Sequence, residues 1–201
     1  MEKRTYVPDI EKYRETLARL SEEKEIKTLI AVRLGCELGM TRLEIVNARV
    51  SDIDRDNKRG LWIEVAKRVR RGKKKIDGKY VANFEMRKRE VPINSNLYQL
   101  LMIYANNAQK YILLREKGDI SLPFIPRYVN TLYEASNVPW SPHRSRHFFK
   151  KVVFSWMMEN QRVDTGLLKE YMGHEKSTTE SYGDYIWDYK RRVLDEVFKS
   201  L

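Results

Sequence analysis

Apolar residues recur along most of the chain at steps of three and four, the spacing of one face of an α-helix, and give way to strand-like runs in one interval. Around 22–38, Ile26, Leu29 and Ile30 keep the helical step, and Ser21 followed by Glu22 and Glu23 supplies a cap and acids at the positive helix end. Gly39 breaks that pattern, and Thr41-Arg42-Leu43-Glu44 reads as a capping box that opens a second helix at Arg42. Between Leu61 and Ile93, the runs Leu61-Trp62-Ile63-Glu64-Val65 and Tyr80-Val81-Ala82-Asn83-Phe84 favour strands, and Val91-Pro92-Ile93 closes a hairpin or small sheet. The intervening Arg68 to Lys79 is expected to be a loop, too repulsive to fold on itself and in want of a counter-anion.

From Asn94 helices return. Leu97, Leu100, Leu101, Tyr104, Ala108, Tyr111 and Ile112 mark one long apolar stripe, and Val129, Leu132 and Tyr133 a shorter one. Ser141-Pro142 offers an N-cap and a first-turn proline to a helix buried through Phe149, Val152, Val153 and Trp156, which puts His143 and Arg146 in its first turns. Leu167, Leu168, Tyr171 and Met172 run up to Gly173, a helix stop. Ser177-Thr178-Thr179-Glu180 then forms another capping box, with Tyr182 early in a short helix. Ile186, Tyr189, Val193, Val197 and Leu201 give an amphipathic tail. The fold class is therefore mainly α with a small antiparallel β-sheet. The expected organisation is a lead-in over 1–20, one main domain over 21–185 and a tail helix over 186–201.

Composition narrows the chemistry. With 201 residues and a formal net charge of +11, the chain is expected to attract a polyanion such as nucleic acid or an acidic membrane surface. No window approaches the roughly 20 apolar residues of a membrane span, and no secretory signal precedes the first helix, so a cytoplasmic location is expected. The single Cys36 has no partner for an internal disulfide and no thiol set for structural zinc.

Several separated motifs then fall into a series. His143 and Arg146, three apart in Pro142-His143-Arg144-Ser145-Arg146-His147, share a helical face and aim at one small anion. Met172-Gly173-His174 precedes Ser177-Thr178-Thr179-Glu180-Ser181-Tyr182. Upstream stand Gly39-Met40-Thr41-Arg42-Leu43-Glu44, then Val50-Ser51-Asp52-Ile53-Asp54, then the basic hairpin ending Arg89-Glu90-Val91-Pro92-Ile93. His143, His147 and His174 as a metal set is disfavoured, because Arg144 and Arg146 would repel a cation beside those imidazoles.

Over roughly residues 20 to 185 this series resembles the catalytic domain of the tyrosine recombinases, the integrase family. That family shows Gly-x-Arg-x-x-Glu leading into Ser-Asp-Ile-Asp, a hairpin lysine, Arg-x-Val-Pro, Pro-His-x-x-Arg-His, and Leu-Gly-His before Ser-Thr-Thr-x-x-Tyr. The resemblance implies that fold and a catalytic set of Arg42, Lys67, His143, Arg146, His174 and Tyr182. An ungapped match of Gly39 and Glu44 puts Thr41 where the family's first arginine stands, and the interval from His174 to Tyr182 is one residue short. Strand spacing alone puts Lys67 ahead of Lys73, Lys75 and Lys88.

Implied by the resemblance are site-specific breakage and rejoining of double-stranded DNA through a 3′-phosphotyrosyl intermediate, with neither metal nor other cofactor, and self-association on DNA. The expected DNA contacts are Arg68, Arg70, Arg71, Lys73, Lys74, Lys75 and Arg144. Residues 1–20 are too few for the helical domain that completes a DNA clamp in the family, and the chain is expected to be a fragment, with a mobile element of an archaeal virus or plasmid as its guessed source. Two alternatives stay open: relaxation of supercoils as by a type IB topoisomerase, and a relative that holds DNA without cutting it.

Overall fold

The structure, a computed structural model, describes residues 6–53, 62–104, 111–117, 120–123, 125–173 and 187–199, with backbone alone at 62–72, 74, 82–88, 115–117, 120–123, 187–188 and 199. In chain order, α1 (Ile10–Glu22), α2 (Ile26–Glu37) and α3 (Arg42–Asn47) lead through a 3₁₀ turn at Val50–Asp52 to the strands β1 (Trp62–Ile76) and β2 (Lys79–Pro92). Then come α4 (Ser95–Tyr104), β3 (Leu114–Lys117), β4 (Ile120–Pro123), α5 (Pro126–Ala135), α6 (Pro142–Glu159), α7 (Thr165–Tyr171) and α8 (Trp187–Lys199). The mainly helical class with antiparallel strands is as expected.

The first helix differs from the sequence reading. Asp9 caps α1 by accepting from the Lys12 N–H at 2.8 Å, and Tyr13, Thr16 and Leu20 form its buried stripe. Ser21 therefore lies in the last turn of α1 rather than at a cap, and the chain breaks at Lys24, whose φ is 58°. Glu25 stands at the N-cap of α2. The stretch expected as a lead-in over 1–20 holds most of α1, whose buried stripe Tyr13, Thr16 and Leu20 carries the helix through Ser21 to Glu22.

Helix α2 is the axis of the core, buried from Thr28 to Ala31 and on nearly every side down to Glu37. It packs chiefly on α6, with α1 and α5 beside it. The approach is closest at Gly35, where a Cβ would stand 2.7 Å from Ser145 Cβ. Ser145 Oγ also accepts from Trp140 Nε1 at 3.0 Å and pairs with Tyr133 Oη at 3.0 Å. Glu37, buried at the end of α2, accepts from Tyr13 Oη at 2.6 Å and also from Arg33 and Asn94. One satisfied carboxylate thus ties α1, α2 and the start of α4 together.

Strands β1 and β2 form one long antiparallel ribbon, in register from Trp62↔Pro92 to Ile76↔Lys79 with an irregularity between Arg70 and Lys73. The segment from Arg68 to Lys79, expected as a loop, is instead mostly paired strand. Alternation sends successive side chains to opposite faces, which halves the charge on each. The Asp77-Gly78 turn, with φ of 47° and 76°, is the two-residue hairpin turn whose right-handed twist matches its strands. The long stripe expected from Leu97 to Ile112 also divides. Tyr111 lies outside α4, bridging to Arg49, and Ile112 is buried beyond it.

Candidate active site

The C-terminal turn of α2 begins the site. Gly39 has φ of +59°, and a Cβ there would lie 2.8 Å from Phe149 Cδ1, so only glycine lets the chain turn back under α6. That turn aims the carbonyls of Leu38 and Gly39 inward. Thr41 then caps α3 as expected: Glu44 N–H donates to Thr41 Oγ1 at 3.3 Å and Thr41 N–H to Glu44 Oε2 at 2.6 Å.

Capping is only part of what Glu44 does. Its fully buried carboxylate accepts from Arg89 Nε at 2.8 Å and stands 3.5 Å from Arg146 Nη1. Arg89, at the body end of β2, also donates to the carbonyls of Tyr171, Leu38 and Gly39. Arg146 donates to Gly39 O and, at 2.7 Å, to Met172 O. Two guanidiniums and one carboxylate thus clamp the ends of α2 and α7 against α3 and α6. Burial alone would raise the Glu44 carboxyl, but the Arg89 guanidinium and its hydrogen bonds hold it below the usual range. Burial pushes Arg146 down to about 10, against the pull of Glu44.

Arg89 is the functional residue that the sequence reading did not single out. The signal was available, since an apolar-flanked Glu44 at a helix start needs a buried cation, and Arg-x-Val-Pro supplies one in the strand leading back to the core.

His143 and Arg42 lie on the exposed side of this clamp. The Nε2 atoms of His143 and His147 are 3.0 Å apart, with the rings edge to face, so one Nε2 carries a proton and the other accepts it. Burial, then Arg144, Arg146 and Arg42, lower the His143 pKa from its ordinary 6.5. Burial and His143 itself do the same to His147. Arg42 is exposed at the first position of α3, and its charge is felt at His143.

The structure therefore brings Arg42, His143 and Arg146 to one wall, with Arg144 beside them. Lys67 stands opposite Arg87 in the ribbon register, two residues along β2 from Arg89. Arg68, Arg70, Arg71 and Lys74 occupy further backbone positions of the same strand, and Lys73 and Lys75 are exposed near its tip. His174 and Tyr182 lie outside the described residues, as does the capping box at Ser177. On either side of that stretch, Tyr171 Oη donates to Lys190 O at 2.6 Å and Lys190 Nζ pairs with Glu170 at 2.8 Å, joining α7 to α8.

Among the described residues no three His, Cys, Asp or Glu side chains gather as a metal site. No helix among them is long and apolar enough to cross a membrane.

The family model described as the phage integrase family matches residues 7–185. Among solved structures, the fold is similar to that of XerA recombinase, at 15% identity and a TM-score of 0.57, covering 100% of this chain and 66% of that one. It is also similar to the Tn1549 transposon integrase in complex with transposon right end DNA, at 16% identity and a TM-score of 0.59, covering 98% and 66%. A complex of that integrase with circular intermediate DNA matches at 17% identity and a TM-score of 0.54, over 96% and 65%. This chain thus spans just under two thirds of those solved chains. No curated protein sequence matches it.

Proposed function

This chain belongs to the phage integrase family, and we propose that it is a site-specific recombinase that breaks and rejoins double-stranded DNA through a 3′-phosphotyrosyl intermediate. The observation that carries the reading is Arg146, held by Glu44 and two main-chain carbonyls beside His143. A guanidinium has five N–H donors, more than these three acceptors use, and the rest are free for the nonbridging oxygens of a phosphodiester. A positioned cation of this kind stabilises charge where it builds in the transition state.

In this reading the Tyr182 phenolate oxygen attacks phosphorus, the bond to the 5′ oxygen breaks, and Lys67 delivers a proton to that oxygen. His143 and Arg146 hold the phosphate, with Arg42 adding field from the surface and His174 a further contact. One phosphate ester replaces another, so the reverse attack by a different 5′ hydroxyl needs no external energy source. Arg68, Arg70, Arg71, Lys73, Lys74, Lys75 and Arg144 contact DNA phosphates, which position the duplex without reading it. Self-association on DNA belongs to the same reading; exchange of α8 between copies would transfer to a neighbour the apolar face of Val193, Leu194, Val197 and Phe198, which within one chain is buried in cis. The bound DNA in the Tn1549 complexes supports the choice of partner.

One observation favours a chain that holds DNA without cutting it: Thr41, at the place of the family's first arginine, is committed to capping α3, and Arg42 points from the surface. A single assay separates the two. Nicked duplexes are incubated with the protein, denatured and examined for covalent adducts. Adducts with the native chain and none with Tyr182→Phe are expected. Adducts absent from both on a cognate site leave the non-cleaving reading.

A further inference from the structure

His143 and His147 face water four residues apart on α6, the step that sets two side chains one above the other on a helix. The mechanism above uses His143 and leaves His147 without a task. Among the described residues each imidazole finds its hydrogen bond in the other, with the Nε2 atoms 3.0 Å apart. Two nitrogens so placed can serve a divalent late transition metal, an ion class that imidazole suits. With metal–nitrogen bonds of about 2.0–2.1 Å, ligands at neighbouring corners of a square or octahedron lie about 2.9 Å apart, and those of a tetrahedron about 3.3–3.4 Å. The observed gap is close to the first.

Ring orientation agrees with chelation. The centroids are 4.6 Å apart, less than the nitrogen gap plus two ring radii, so at least one nitrogen axis leans off the line between the two atoms, as a shared metal requires. The proton on one Nε2 moves to Nδ1 of the same ring when the metal arrives, a change of tautomer that needs no outside acceptor. The arginines that disfavour a three-histidine metal centre weaken this chelate without closing it. Arg146 is buried and turned to Glu44 and two main-chain carbonyls. The charge of Arg144 reaches both imidazoles, and Arg42 and Lys150 act on one each, at an open rim where water and salt screen them.

We propose that His143 and His147 form a two-nitrogen site for Cu²⁺ or Ni²⁺, completed by water, whose occupancy blocks the catalytic face of α6. Cu²⁺ binds the more tightly of the two, and Mg²⁺, which takes oxygen ligands, does not compete. Binding itself is independent of the recombinase reading. The blocking role rests on that reading, because a metal on His143 Nε2 occupies the ring that holds the phosphate.

The full chain without DNA is titrated with Cu²⁺ and followed by visible absorption and electron paramagnetic resonance. Saturation at one equivalent is expected, with splitting from two imidazole nitrogens. His147→Gln should bind roughly a hundredfold more weakly, because the second arm of a chelate is gone. His174→Gln should stay within about twofold of the native chain, and Arg144→Gln should bind roughly threefold more tightly, since a repelling charge is removed. Thermal unfolding of His147→Gln should match the native chain, because the side chain faces water. Native-like binding by His147→Gln, or an equal loss in His174→Gln, overturns the proposal. In the nicked-duplex assay Ni²⁺ should suppress the native adduct and EDTA restore it, with Mg²⁺ inert. An adduct yield unchanged at saturating Ni²⁺ overturns the blocking role. An adduct absent without any metal counts instead against the recombinase reading and leaves the titration intact.

Discussion

The buried clamp and the exposed rim of the site are built from the same residue types under opposite rules. Within the clamp, Glu44, Arg89 and Arg146 sit at or below 8% exposure, and their contacts run to one another or to main-chain carbonyls. At the rim, Arg42, His143 and His147 face water; the two imidazoles are hydrogen-bonded to each other, and Arg42 acts on His143 through charge. A buried charge is tolerated only with a partner, so the clamp is stiff and its loss is costly. An exposed charge is cheap to change and open to a ligand. The difference teaches that fixed geometry and accessible charge are divided between two layers, with Arg146 of the buried layer felt at His143 of the exposed one.

The sharpest way to break this contrast is Glu44→Ala. It leaves two buried guanidiniums without their carboxylate and removes a cap, and a loss of about 3–5 kcal/mol in urea unfolding is expected. An effect below about 1 kcal/mol would mean that the clamp is not a structural unit. Next in size is Gly35→Ala on the far side of the wall, where the new Cβ would meet Ser145 Cβ at 2.7 Å. A cost of about 1–3 kcal/mol is expected from overpacking, read by the same unfolding curve.

Acid then separates the layers. The Glu44 carboxyl is held below its ordinary 4.5, so the unfolded chain binds its proton first and stability falls as pH drops through 4.5 toward the folded value. The native chain should lose this contribution as pH falls below 4.5, and Glu44→Gln should show a flatter profile there. At the rim the histidines are bases with lowered pKa, and their contribution is lost as pH falls below the ordinary 6.5.

The smallest effects test the rim itself. Arg144→Gln removes a cation felt by both imidazoles, and NMR titration should show both pKa values rising. Arg42→Ala should raise only His143, by less than Arg144→Gln does, with unfolding free energy changed by no more than about 0.5 kcal/mol. A larger shift from Arg42→Ala would put that guanidinium closer to His143 than its surface position indicates.

Much of this was legible in the sequence, and unevenly. Local signals gave α3 with its Thr41–Glu44 box, the first turn of α6 at Ser141-Pro142 and the stop at Gly173, because caps and left-handed turns depend on neighbours a few residues away. Helix α1 escaped, since Ser21 imitates a cap and the residues before it were expected to be a lead-in, although Tyr13, Thr16 and Leu20 keep a helical step. The ribbon escaped as well: like charges along one strand look repulsive until cross-strand pairing spreads them over two faces, although Asp77-Gly78 was a legible hairpin turn. For the site, motifs brought out His143 and Arg146. Arg89 needed the fold, because its partners come from α2, α3 and α7, and only tertiary packing puts Glu44 between two arginines.

Ser145 gives α6 a keyway. Its hydroxyl meets Trp140 and Tyr133 while its Cβ presses into the notch left by Gly35, so the helix has one azimuth in which to seat, with His143 two residues before and Arg146 one after. Engineers seeking to reorient His143 and Arg146 would therefore do best to file this key on the hidden side, turning the whole of α6 by a few degrees while leaving every residue of the clamp and rim untouched.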